Sequence, residues 1–141
     1  MTTPNWQLLV EVKVQAKPEH EALWKLVYEY LAGPRRLRFK ATGAWQRGPD
    51  LTCGPNGASR EGLVDAANLA GGAQVGALIG KIGGSTADKG DSPAQVFAVG
   101  EYCVIHFPDT TRGGLFLTMN DKPQNFDQHS GELDVTIEEA P

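Results

Sequence analysis

Residues 120–131 read Asn-Asp-Lys-Pro-Gln-Asn-Phe-Asp-Gln-His-Ser-Gly, a polar run between two apolar, alternating segments. The apolar positions that flank it are Leu115, Leu117 and Met119 on one side and Leu133, Val135 and Ile137 on the other. Apolar side chains at every second position are typical of a strand with one buried face. The pattern predicts two strands joined by a polar loop, and such a loop on a rigid scaffold commonly carries a ligand site.

The composition indicates a turn-rich all-β protein. The chain has 141 residues, enough for one domain that buries about two-thirds of its unfolded surface. Its 17 Gly and 9 Pro are spread among short apolar runs, which is unusual for a helical protein. With about eight short strands, no internal repeat and no linker, residues 1–141 are predicted to form a single β-sandwich domain.

The strands predicted outside this hairpin differ in clarity. Alternation predicts strands at residues 9–15 and 37–45. Residues 75–83 are predicted to be a buried, glycine-containing strand, and residues 96–99 and 102–107 to be strands on either side of Gly100. Residues 46–74 are predicted to be a long irregular stretch, and residues 84–93 a polar loop. The segment 22–31 fits two patterns. Its apolar residues fall at helical spacing, but period two instead places Trp24, Leu26, Tyr28 and Tyr30 on one side of a strand.

Charge and hydropathy exclude some classes of function. The net charge of −4 argues against nucleic-acid binding, which needs a concentrated basic surface. The basic run Arg36, Arg38 and Lys40 alternates with apolar residues, so we interpret it as a solvated strand face. No apolar run reaches the roughly 20 residues of a membrane span, and no signal peptide is evident. We therefore expect a cytoplasmic protein, or one exported without a classical signal.

Motifs of catalysis are absent from the sequence, and we expect no enzyme activity. None of the three histidines accompanies a nucleophile motif such as Gly-x-Ser-x-Gly, and no zinc spacing, P-loop or Rossmann fingerprint occurs. His106 follows the alternation of its strand and is interpreted as a hydrogen-bonded structural residue. Cys53 and Cys103 fit neither a disulfide scaffold nor a four-ligand zinc site, and Cys103 is expected to be a buried thiol.

The polar loop offers oxygens to a hard cation. Calcium binds six to eight oxygens from carboxylates, amides and backbone carbonyls. Asp121 supplies a carboxylate, and Asn125 and Gln128 supply amide oxygens. The imidazole of His129 suits transition metals better than calcium. The residues therefore leave two interpretations open, a calcium site and a hydrogen-bonded polar turn.

The same residues carry a family resemblance. The pattern Asn120-Asp-x-Pro-x-x-Phe-x-x-x-Ser-Gly, followed by an alternating strand, resembles the C-terminal loop of the calcium-dependent, galactophilic LecA-type bacterial lectins. Residues 76–83, Gly-Ala-Leu-Ile-Gly-Lys-Ile-Gly, resemble that family's Gly-Ala-Leu-x-x-Lys-Ile-Gly strand. Gly43-x-Trp45 followed by Gly48-Pro49 resembles its Gly-Trp-x-x-x-Gly-Pro segment. The resemblance runs from about residue 33 to 137, implies a small jelly-roll-like sandwich, and favours the strand for residues 24–31.

The resemblance also implies a set of metal ligands. The family's calcium positions fall on Arg47, Asp121, Asn125, Gln128 and His129, with the first and third acting through backbone carbonyls. Gln128 and His129 stand where the family has two consecutive asparagines, so we expect weaker calcium binding. The family's sugar-contacting His-Pro-x-Gln has no counterpart in residues 56–62, so galactose specificity is not expected to carry over.

Two hypotheses of function follow. The first is a non-catalytic, lectin-like or carbohydrate-binding-like domain with an altered calcium and sugar site, which binds a glycan or small polar ligand. The mouth of the ligand site would be formed by residues 47–50, 56–61 and 121–129. The rings of Trp45 and Phe126 would either pack against a sugar or belong to the core. The ligand-binding candidates are Arg47, Asp50, Arg60, Glu61, Asp121, Lys122 and Gln128. The second is a structural or protein-interaction module, and in either case a homodimer or homotetramer is expected.

Overall fold

Strands account for most of a computed structural model that describes residues 5–19, 22–49, 51–58, 68–85 and 95–140. The strands are β1 (Gln7–Gln15), β2 (Lys25–Ala32), β3 (Arg35–Gly48), β4 (Leu51–Cys53), β5 (Leu78–Ile82), β6 (Gln95–Ala98), β7 (Tyr102–Phe107), β8 (Arg112–Met119) and β9 (Ser130–Ala140). A 3₁₀ helix, Pro123–Gln128, lies between β8 and β9. The predicted all-β class is confirmed. Within these ranges, no helix is long and apolar enough to cross a membrane.

Two antiparallel sheets form a jelly-roll-like sandwich. In the first sheet β9 lies between β1 and β3, while β7 and β4 pair with successive parts of the other edge of β3. The second sheet has the order β2-β8-β5-β6. The strand β3 has 14 residues and spans the whole sandwich, although the alternation of buried and exposed residues is interrupted at the exposed Gly43. It therefore extends from one end of the sandwich to the other.

The inner faces of the sheets follow the alternation in the sequence. Leu37, Phe39 and Ala41 of β3 are buried as predicted. The same holds for the alternating apolar residues of β8 and β9, which are Leu115, Leu117, Met119, Leu133, Val135 and Ile137. Burial of one such side chain is worth about 1.5–3 kcal/mol, so these positions account for much of the driving force for folding.

The second sheet is buried on its outer face as well, which alternation alone does not predict. Trp24, Ile79 and Phe116 form a second apolar cluster there, and residues of the segment 69–73 pack against it. The buried Lys81 lies in this layer. Its ammonium is 4.8 Å from the ring centroids of Trp24 and Phe116 and donates to the Ser85 carbonyl at 2.6 Å. The cluster places the chain that follows Asn68 against the sheet, close to the end of β8.

The segment 22–31 is a strand, β2, as the resemblance implied, but its predicted facing is wrong. Trp24 is buried, whereas Leu26 and Tyr30 are exposed by 42% and 58%. The register with β8 shifts twice, between Leu26 and Tyr28 and again between Tyr28 and Leu31. Each such irregularity moves the following side chains to the other face, so period two does not persist along this strand.

Other expectations need correction. Residues 46–74 are less irregular than predicted, because β3 continues to Gly48, β4 follows, and Asn56 forms a bridge with Ala77. Residues 59–67 and most of the predicted loop 84–93 lie outside the described ranges. His106 is exposed, not a hydrogen-bonded structural residue.

The two cysteines are free thiols and only partly buried. Cys103 packs against the core, and burial raises the pKa of its thiol to about 11. Its expected full burial is therefore reached only in part. At this pKa the thiol is protonated near neutral pH and is a poor nucleophile.

Candidate functional site

Asp121 lies at the centre of a polar cluster at one end of the sandwich. It follows β8 directly and is fully buried. Three other parts of the chain contribute residues to the cluster. Arg47 lies at the end of β3, His129 follows the 3₁₀ helix, and Ala16 follows β1. The cluster therefore joins four parts of the chain that are distant in sequence.

Asn120 holds the neighbouring loop in place. This buried amide donates to the carbonyls of Ala70, Ala73 and Gln74 at 3.0, 3.1 and 3.1 Å, and its oxygen accepts from the Ala70 backbone at 2.8 Å. The backbone N–H of Leu69 donates to the Asp121 carbonyl at 3.0 Å. Because buried polar groups must find partners, Asn120 fixes the wall beside Asp121 and not a ligand.

The Asp121 carboxylate accepts four hydrogen bonds from protein groups. Its Oδ1 accepts from the backbone N–H of Lys122 at 2.7 Å and from Asn125 Nδ2 at 3.1 Å. Its Oδ2 accepts from Arg47 Nε at 3.1 Å and pairs with His129 Nε2 at 2.9 Å. The carboxylate is therefore saturated with donors, one of them on the cationic side chain of Arg47.

His129 is fixed at both ring nitrogens. Its Nδ1 lies 2.9 Å from the carbonyl oxygen of Ala16, which can only accept, so Nδ1 carries a hydrogen. Its Nε2 faces the Asp121 carboxylate, which also accepts when ionised. The ring is therefore held between two oxygen groups, and it is buried between β1 and the loop after β8. Phe126 packs on this ring with centroids 4.4 Å apart.

The hydrogen bonds control the ionisation of Asp121. Burial alone would raise the pKa of its carboxyl, but the bonds from His129, Asn125, Lys122 and Arg47 together hold that pKa below its ordinary value. The carboxylate is thus charged at neutral pH, with its charge balanced by Arg47.

The side-chain groups bonded to the Asp121 carboxylate are hydrogen-bond donors and not oxygen ligands. Calcium needs six or more oxygen acceptors, whereas Arg47, His129 and the Asn125 amide present N–H donors to the carboxylate. Within the ranges covered by the structure, no group of three or more His, Cys, Asp or Glu side chains is arranged to hold a metal ion. The arrangement is that of an internal ion pair.

The sequence-predicted residues divide into three groups. Arg47, Asp121, Asn125 and His129 lie together, and Lys122 adds its backbone N–H. Gln128 is exposed and forms no hydrogen bond with Asp121. The remaining candidates, Asp50, Arg60 and Glu61, lie outside the described ranges.

Neither candidate ring offers an exposed platform. Trp45 is 1% exposed and Phe126 is 6% exposed. The indole N–H of Trp45 donates to the Gly76 carbonyl at 2.7 Å, which ties β3 to the chain before β5. Both rings are core, which was the alternative left open by the sequence.

Two functional contributions escaped sequence reasoning. Asn120 stands in the quoted motif, but its role as an anchor of residues 70–74 follows only from the tertiary fold. The Ala16 carbonyl leaves no signal in the sequence, since any residue supplies a backbone oxygen. The role of Ala16 as a hydrogen-bond acceptor for His129 becomes visible only when the three-dimensional positions of the strands are known.

The fold and the buried cluster define a β-sandwich with a lectin-like fold. Among solved structures, the chain is similar to the N-terminal domain of EclA, a PllA-like lectin, with a TM-score of 0.65 and 18% sequence identity over 94% of this chain and 97% of that chain. No family model matches the chain, and no curated protein matches it. A similarity at this identity shows the fold alone, so the resemblance to LecA-type lectins in particular stays a prediction.

Proposed function

We propose that the protein is a non-catalytic, carbohydrate-binding-like domain that works without calcium. In this proposal Arg47 and His129 take the position that the family resemblance assigns to the metal ion. The lectin-like fold supports the class of function. The observation that carries the calcium-free part is the Asp121 carboxylate, buried and bound by four protein donors.

The charges support the replacement of the ion. One carboxylate faces a guanidinium and a histidine ring, so Arg47 already balances the negative charge that would attract a divalent cation. A calcium ion would also be repelled by the Arg47 guanidinium. Such an internal pair would keep the 3₁₀ helix and the end of β3 together, a structural role that a bound ion fills in other proteins.

The ligand would bind beside the cluster and not in it. The Arg47 side chain is 33% exposed and binds Asp121 through its Nε, so its terminal N–H groups are not used in that bond. Gln128 is exposed at the end of the 3₁₀ helix. The Ser130 hydroxyl donates to Gln46 at 3.0 Å and adds a further polar group at this rim. We propose that a glycan or small polar ligand contacts these groups.

A glycan-array screen tests this proposal when it is run in a chelator and again in millimolar calcium. We expect binders that are retained in chelator and lost in Arg47→Ala. Lys40→Ala, which removes an exposed cation seven positions away on the same strand, serves as the control and should retain them. Binding that requires calcium would contradict the proposal, and so would the absence of any binder in both conditions.

A second candidate, a protein-interaction module, is favoured by one surface. Tyr102 and Val104 are exposed by 56% and 39% and lie on the same face of β7, a strand that pairs with β3 alone. Exposed apolar side chains on an edge strand suit docking or self-association. Sedimentation of the wild type and of Val104→Lys distinguishes the candidates: an oligomer that dissociates in the variant supports the interaction module, whereas a monomer with glycan binders supports the first proposal.

A further inference from the structure

A second cleft lies at the opposite end of β3. It has a volume of about 490 Å³ and is lined in part by Gln7, Arg35, Arg36, His106, Phe107 and Glu139. This volume lies in the range of small-molecule sites. Eleven residues of β3 separate Arg36 from Arg47, which at roughly 3.3 Å per residue places this cleft roughly 35 Å from the Asp121 cluster.

The two arginines of the cleft differ in their bonding. Arg35 forms an ion pair and hydrogen bond with Glu139, so these two charges cancel. Arg36 Nε is buried and has no hydrogen-bond partner within the ranges described. No ion pair joins Arg36 to a carboxylate there either, although its neighbours on the same face, Arg38 and Lys40, both bind Glu138. The basic run therefore contains one cation without a protein counter-charge.

A buried N–H without an acceptor is unfavourable. The rest of the Arg36 side chain is only partly buried, so an anionic ligand in the cleft can reach its guanidinium. The guanidinium presents its N–H groups as a planar fork that matches a carboxylate or phosphate in two-point geometry. His106 lies directly opposite Arg36 in the register of β3 and β7 and is exposed, so it can donate a further hydrogen bond. Phe107 provides a buried apolar floor beside it.

We propose that this cleft is a binding site for the oxyanion group of a small organic acid, a carboxylate or a phosphate. Arg36 provides the charge, and His106 and Gln7 provide neutral hydrogen-bonding groups. Glu139 does not oppose the anion, because its carboxylate is held by Arg35. The cleft is independent of the proposed glycan site, so either proposal can fail alone.

The Arg Nε–H signals in ¹⁵N-correlated NMR spectra of the full chain report on this site directly. The probes are inorganic phosphate, glucuronate and neutral glucose, each added at constant ionic strength set with sodium chloride. We expect the Arg36 Nε–H signal to shift and to saturate with phosphate or glucuronate, and to stay unchanged with glucose. A response to phosphate alone identifies a phosphate site, and a tighter response to glucuronate identifies a sugar-acid site.

The matched variants are Arg36→Gln and Arg38→Gln. The first removes the unpaired cation, so backbone signals of β3 and β7 should lose their saturable response or show affinity weaker by about tenfold or more. The second removes a cation that already binds Glu138, and it should respond as the wild type does. The proposal is overturned if no anion gives a saturable shift, or if Arg36→Gln retains the wild-type affinity.

Discussion

At the scale of single residues, the decisive feature is that hydrogen-bond donors surround Asp121. The family resemblance instead implies a calcium ion with oxygen ligands at this place. The sequence places Asp121 at the centre of the loop, and it is the centre of the observed cluster. The sequence also brings Arg47 and His129 to it, but as ligands of a shared ion. Their actual roles depend on the Ala16 carbonyl, which is 113 residues from His129 in the chain. No local pattern contains that contact, so the sequence predicts the members of the site and not its chemistry.

Asp121→Asn should destabilise the protein by about 2–4 kcal/mol. The change removes the charged acceptor of the buried His129 ring and of the Arg47 guanidinium, and breaking a buried pair is strongly unfavourable. The value is at the lower end because the Arg47 side chain is one-third exposed and can turn to water. Urea unfolding measures the loss. Asp127→Asn, on an exposed residue of the same loop, is the control and should change the free energy of unfolding by less than about 0.5 kcal/mol.

Acid should weaken the fold through the same carboxylate. The folded-state pKa of Asp121 is lowered, so its contribution to stability is present above the ordinary carboxyl pKa of about 4 and is lost as the pH falls below it. Glu138 adds to this loss, because the hydrogen bond from Lys40 in particular lowers its pKa. The free energy of unfolding should therefore decrease as the pH falls below about 4. Equal decreases in wild type and Asp121→Asn would contradict this assignment.

At the scale of elements, alternation predicted strands well wherever one face is buried. It predicted the wrong facing for β2, where two register shifts occur, and it did not predict that the second face of β5 and β8 is covered as well. It also missed β4, which is only three residues long and pairs with the end of β3. A strand this short has no period to detect. These elements matter to function because β4 and the loop after it stand beside Trp45 and the predicted mouth.

The turn at Gly57 holds this loop against the chain before β5. Gly57 has a φ of 80°, and a Cβ there would lie 2.7 Å from the Ala77 nitrogen and 2.8 Å from the Val75 oxygen. Gly57→Ala should therefore cost about 1–3 kcal/mol or more, since backbone must move on both sides. Gly72→Ala is the matched control, because nothing lies within 4 Å of a Cβ at that position. Thermal unfolding of both variants compares them, and equal midpoints would refute the role of Gly57.

At the scale of the whole molecule, the sandwich was predicted but its sheet order was not. Alternation identifies strands without identifying their neighbours, and pairs such as β1 with β9 join the two ends of the described chain. The same limit applies to both candidate sites. The sequence predicts Arg36 on a basic strand face and Arg47 in an irregular stretch, yet both lie in β3, at its opposite ends. Arg47 is paired with Asp121, whereas Arg36 has no ion pair among the described residues.

If Arg47 and His129 occupy the position of a calcium ion, replacing both side chains should create a calcium-binding site. The variant Arg47→Ala, Gln128→Asn, His129→Asn removes both side chains and restores the two amides that the family resemblance implies. We expect it to be less stable than the wild type without metal and to gain stability with added calcium, in proportion to the logarithm of its concentration at saturation. The magnesium response is the control and should be smaller, because magnesium prefers a tighter octahedral site.

The most direct test of the account is the free energy of unfolding of the wild-type protein in chelator and in 10 mM calcium at constant ionic strength. Our account predicts equal values, since Asp121 already has four protein donors and the cationic Arg47 as a partner. With a dissociation constant of about 0.1 mM, calcium at roughly 100 times that value would add about 2.7 kcal/mol. A saturable increase of that size, abolished by Asp121→Asn, would contradict it.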